Sequence, residues 1–164
     1  MLVEQGLLDL PVLYLSRYII RHKPDYYRLL LRVTSRKAWE DWILFMLEGI
    51  RQTAQWTLDK IAAMQKQQML AQDFVRQHAP AIYSRELVEL LFVQPYCRIQ
   101  NLVASGLAKR QTASAYLKKL EALGMLRGVR VGKEKLFINP ALVQLLSQDG
   151  HSLVPYRLAR PKRR

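Results

Sequence analysis

Arg110, Gln111, Ser114, Lys118 and Lys119 fall in one short stretch, and the residues between them, Ala113, Tyr116, Leu117 and Leu120, form a separate apolar helical face. Cations and amides on the free side of a helix can hold phosphate oxygens and reach base edges. Arg127, Arg130, Lys133 and Lys135 follow on either side of Gly132, in two short segments that read as a β-hairpin. A third group ends the chain, where Arg157-Leu158-Ala159-Arg160-Pro161-Lys162-Arg163-Arg164 carries five positive charges. The chemistry these groups share is recognition of a polyanion, not a reaction.

No other constellation rises to a reaction centre. His22, His78 and His151 stand more than fifty residues apart with no cysteine or acidic partner at ligand spacing, so no metal site is expected. Glu40, Asp41 and Glu48 lie on one helix near tryptophans and basic neighbours and read as a solvated face or as ion-pair partners. Cys97, the single cysteine, lacks a histidine-based activating pattern and is expected to be a packed thiol. One cysteine also excludes an intrachain disulfide, which fits a reducing compartment. No Gly-x-Gly-x-x-Gly and no phosphate-loop lysine motif occurs. The apolar runs are too short to cross a bilayer, and the N-terminus lacks a basic segment ahead of an apolar core. A cytoplasmic location without a membrane partner is therefore expected.

The charge is uneven along the 164 residues. Residues 1–80 hold 11 Lys and Arg against 8 Asp and Glu, whereas residues 81–164 hold 15 against 5, so +10 of the net +13 lies in the second half. Such an excess marks the second half as the side that meets polyanions.

The elements that must position these groups are mostly helical. Leu13, Tyr14, Arg17, Tyr18 and Ile20 form a short helix that stops before Lys23-Pro24, and residues 25–33 form a second, with Pro24 in its first turn. From Trp39, the positions Trp39, Trp42, Ile43, Met46, Ile50, Ala54, Thr57, Ile61 and Met64 recur at spacings of three and four, which predicts a long helix with this face buried. Trp39 and Trp42 are assigned to the core. Gly49 is a candidate kink, and the polar residues 65–68 read as the exposed end of the helix or as a helical connector. A break follows at His78-Ala79-Pro80.

Beyond the break, Ser84 caps a helix over residues 85–92, Pro95 ends it, and residues 99–104 form a second helix before the Ser105-Gly106 turn. The third helix starts near Arg110 and closes at Gly124. Residues 126–131, a turn at 132–134, and residues 135–138 make the hairpin. Three short helices followed by a basic hairpin is the order of a winged helix-turn-helix, whose third helix fits the major groove while the wing lies along the backbone. Winged helices also serve as protein-interaction and dimerisation modules, so the fold alone does not choose a partner.

The stretches Gly6-Leu7-Leu8-Asp9-Leu10-Pro11-Val12-Leu13-Tyr14, Tyr26-Tyr27-Arg28-Leu29-Leu30, Trp39-Glu40-Asp41-Trp42-Ile43 and Met46-Leu47-Glu48-Gly49 resemble the Fic family. Ile82-Tyr83-Ser84, Arg110-Gln111-Thr112-Ala113-Ser114, Tyr116-Leu117 and Leu136-Phe137-Ile138-Asn139 resemble the C-terminal domain of the Fic subgroup that carries a winged helix. The likeness extends to about residue 146. It implies residues 1–79 as the closing helices of a Fic core, residues 80–146 as the winged helix, and residues 147–164 as a basic, flexible tail. The family transfers AMP from ATP, with Mg, to a hydroxyl side chain of a protein target, using a loop His-Pro-Phe-x-x-Gly-Asn-Gly-Arg whose histidine acts as base.

That loop does not occur in these 164 residues. The family would place it just upstream of Met1, so the chain is expected to be a C-terminal portion, from natural truncation or excision, and inactive alone. ATP and Mg are then cofactors of the full-length family and not of this chain. The resemblance implies that Tyr27, and beside it Tyr26, line the adenine end of the nucleotide site; both also fit the core of a helix pair. The partners this implies are DNA at the winged helix, a protein target of adenylylation, or a second copy. The competing expectation is a stand-alone winged-helix transcriptional regulator with a helical dimerisation region.

Overall fold

A computed structural model describes residues 14–132 and 134–159. The chain is mostly α, as expected, with a small three-stranded antiparallel sheet. It divides into two compact units, Met1–Ile61 and Ala62–Arg164.

In the first unit, α1 (Ser16–Arg21) ends at His22, and α2 (Lys23–Arg36) begins with Pro24 in its first turn, where the missing amide hydrogen costs nothing. Lys37, left-handed at φ 55°, closes α2. The first part of α3 (Trp39–His78) completes the unit.

Tyr26 packs against Trp42 at 5.0 Å between ring centroids and Tyr18 against Phe45 at 5.1 Å, so the seat for α1 and α2 lies on the Trp42, Phe45 and Gly49 side of α3. This side is about a quarter turn from the stripe that the apolar spacing predicts. Trp39 is 57 % exposed, and Ile43 and Ile61 are also exposed. The two tryptophans expected in the core therefore part company: Trp42 is half-buried, and Trp39, the first residue of α3, stands clear of it.

α3 runs unbroken through Gly49. The role of Gly49 is close approach: a Cβ there would lie 2.6 Å from Cδ1 of the buried Tyr18. Gly49→Ala gains helix propensity of about 1 kcal/mol but overpacks a buried ring at a cost of about 1–3 kcal/mol. We expect a net loss of about 1 kcal/mol, read as a lower urea midpoint. A raised midpoint would show that the Tyr18 ring moves aside freely.

The second unit takes in the end of α3 because its last turns carry Ala71, Phe74 and Val75 into the core around Leu87, Leu91, Leu117 and Phe137. The polar residues 65–68 are thus a helical connector and not an exposed end: the helix continues through them to His78, and Gln67 is fully buried. After a 3₁₀ turn (Pro80–Ile82) come α4 (Arg85–Val93), β1 (Tyr96–Cys97), α5 (Ile99–Ala104), α6 (Arg110–Ala122), β2 (Arg127–Val131), β3 (Glu134–Ile138) and α7 (Pro140–Ser147). Ser84 Oγ accepts from Leu87 N at 3.0 Å, the cap that its position predicts.

The sheet order is β1-β3-β2, with Arg130 opposite Lys135 and Cys97 opposite Phe137. This is the expected run of three helices and a hairpin, with β1 added as the third strand and α7 added beyond it. Residues 147–159 are not a free tail. Val154, Tyr156 and Ala159 are bonded to Gln67, Asn139 and Leu123. Residues 160–164 lie outside the described residues.

Candidate nucleic-acid interface

The sequence supplies α6 with an apolar face of Ala113, Leu117 and Leu120, all buried, and this turns the rest of the helix outward. Arg110, Gln111, Lys118 and Lys119 are exposed and Ser114 is half-buried. At 100° per residue Arg110 and Ser114 flank the hairpin side, Gln111 and Lys118 lie at the centre, and Lys119 lies about half a turn from Arg110. The five polar positions thus cover the free face from edge to edge instead of forming one cluster.

The hairpin contributes from one face only. Strand alternation puts Arg130 and Lys135 on the face toward α6 and Arg127 on the other. Lys133 lies outside the described residues. Arg110 and Lys135, with Arg98, Gln100 and Glu134, line a groove of about 550 Å³ between the starts of α5 and α6 and the hairpin. Arg98 was not singled out by sequence; as the residue before α5, with its amide donating to Asn101 Oδ1 at 2.7 Å, it gave only a weak capping signal.

Two acids temper this surface. Lys135 Nζ donates to Glu121 Oε2 at 2.6 Å, and Arg98 pairs with Glu134 at 3.2 Å. The first pair crosses over Gly128, where a Cβ would run into Glu121 and Lys135. Glycine at that position lets the ion pair tie the hairpin to α6. Among the described residues, Arg110, Lys118, Lys119, Arg127 and Arg130 form no ion pair. They keep their charge available for an anion. The first turn of α6 adds amide hydrogens that no side chain caps.

Glu121→Gln removes one negative charge and releases Lys135, at little cost in stability because the pair is partly exposed. Binding to duplex DNA is expected to tighten several-fold at low salt, with a log–log salt slope steeper by about 1. Unchanged or weaker binding would mean that the pair orders the hairpin for its partner.

Elsewhere the chemistry is sparse. Cys97 is buried, and burial pushes its thiol up to about 11, which keeps it protonated and unreactive. Tyr26 is half-buried among Trp42, Tyr27 and Phe45. Tyr27 is 57 % exposed and belongs to no core, with Lys23 Nζ 6.0 Å from its ring centroid. Apart from these rings, no phosphate-holding motif occurs in the sequence beside the two tyrosines. Among the described residues no helix is long and apolar enough to cross a membrane.

Residues 64–142 match the family described as the C-terminal domain of SoFic-like protein adenylyltransferases. The match begins close to the start of the second compact unit at Ala62 and takes in the buried end of α3.

Proposed function

We propose that this chain, whose residues 64–142 match the C-terminal domain of SoFic-like protein adenylyltransferases, is the non-catalytic C-terminal part of such an enzyme and that its winged helix binds duplex nucleic acid. The observation that carries the reading is the set of exposed, unpaired cations along α6 and on β2 beside the groove that Arg110 lines.

Adenylyl transfer would rest on the His-Pro-Phe-x-x-Gly-Asn-Gly-Arg loop, which these residues lack, so ATP with Mg and a protein target belong to the full-length family. In that setting Tyr27 would be the adenine contact, since its ring is the accessible one of the pair. The first unit would complete a Fic core. Its exposed Trp39, Ile43, Leu44 and Leu47 support this reading, because a finished surface seldom leaves so many apolar side chains bare. A stand-alone regulator would instead form a defined dimer, whereas a Fic remnant would self-associate nonspecifically; sedimentation of the chain separates the two.

The test of the interface is duplex binding at about 50 and 200 mM salt. Replacing Arg110 and Lys118 by alanine is expected to weaken binding and to flatten the salt slope by about 2. Unchanged affinity would remove α6 from the interface.

A further inference from the structure

Three cations from three separate places in the chain converge on one groove of the second unit. Arg98 precedes α5, Arg110 opens α6 and Lys135 lies on β3, and with Ile99, Gln100 and Glu134 they line a space of about 550 Å³. Three positive charges against one negative leave this lining with an excess of +2. Arg98, Gln100, Arg110 and Lys135 are all exposed, so the groove is open to a large partner.

Its position within the winged helix selects the anion. When α6 enters the major groove of a B-form duplex and the hairpin reaches the adjacent backbone, one phosphate strand must pass between them. The groove occupies that interval, between the start of α6 and the hairpin. A-form RNA, whose deep and narrow major groove excludes a helix, cannot present a strand there.

The three cations are not equally ready for a phosphate. Arg110 forms no ion pair among the described residues, and Lys135 Nζ is held by Glu121 Oε2 at 2.6 Å. Arg98 Nε stands 3.2 Å from Glu134 Oε2, and the two side chains are 48 % and 63 % exposed. A pair so open to water is weak, and an arriving phosphate can take Arg98 from Glu134 at small cost.

We infer that this groove seats the phosphate strand running between α6 and the hairpin, with Arg98 and Arg110 as direct phosphate contacts, and that Glu134 competes with that phosphate for Arg98. The partner is duplex DNA, and the inference rests on the nucleic-acid reading above. The 2.7 Å bond to Asn101 Oδ1 comes from the Arg98 backbone amide and survives a change of side chain, so Arg98 can be replaced without removing the start of α5.

The full chain is titrated against two DNA duplexes of unrelated sequence at about 50 and 200 mM salt. Arg98→Ala is expected to weaken binding to both alike, by about three- to tenfold at the lower salt, and to flatten the log–log salt slope by about 1. Arg98→Lys, which keeps the charge, should retain most of the affinity. Glu134→Gln is expected to tighten binding several-fold. Arg98→Ala should then cost more in the Glu134→Gln background, where no acid holds the guanidinium, than in the parent. Unchanged affinity in Arg98→Ala, a loss confined to one duplex, or an equal cost in both backgrounds overturns the inference while leaving α6 in the interface through Arg110 and Lys118. No binding by the parent chain at either salt removes the nucleic-acid reading itself.

Discussion

A fragment that starts at residue 80 should fail to fold, whereas one that starts at Ala62 should show a cooperative thermal transition. The shorter fragment follows the proline break that the sequence shows at His78-Ala79-Pro80. It loses Ala71, Phe74 and Val75 from the core and the amide that holds Val154. Truncating one buried phenylalanine costs about 3–5 kcal/mol, and an entire domain of this size is stable by about 5–15 kcal/mol. Losing a helical turn with three buried side chains, together with a buried hydrogen-bond pair, consumes that margin. Circular dichroism of the two fragments checks it, and a sharp melt for residues 80–164 would show that the end of α3 is dispensable.

Gly124→Ala should destabilise the second unit by about 2–3 kcal/mol, and Gly106→Ala by only about 1 kcal/mol. Both glycines have positive φ, +83° and +73°, so an alanine at either meets the same left-handed strain. They differ in surroundings. Nothing lies within 4 Å of a Cβ at residue 106, whereas one at residue 124 presses on the backbone of Ala159 and Arg157. The difference between the two variants therefore isolates the seating of residues 157–159. For a unit of about a hundred residues, each kcal/mol shifts Tm by roughly 4–8 °C, which separates them clearly. Equal shifts would mean that this segment gives way without cost.

The second unit was readable because local signals agreed with the fold. Ser84 caps, Pro95 stops, Gly124 turns, and the apolar positions of α6 point inward at helical spacing. β1 was missed because two residues, Tyr96 and Cys97, show no alternation and exist as a strand only through pairing with β3. The sequence reading of elements stops with the hairpin at Ile138 and assigns nothing to α7, although Asn139 Oδ1 caps that helix by accepting from Leu142 N at 3.3 Å.

In α3 the periodicity was right and the buried face was not. Spacing reports that a helix has an apolar stripe and says nothing of which neighbour covers it; Gly49, a single small residue, decided where Tyr18 could approach. Along α6 and the hairpin, residue type alone names the cations. Glu121 and Glu134, which neutralise Lys135 and Arg98, came into view only once the hairpin folded against α6.

The Gln67 pairing also orders events in time. Gln67 enters its helix long before Val154 is synthesised, and a growing chain has nothing to offer its amide in the interior. Folding intermediates must keep that amide hydrated and the end of α3 loosely packed until Val154 can reach it. A message cut short after α7 would leave the Gln67 amide buried and unanswered, a state suited to recognition by proteases rather than to function.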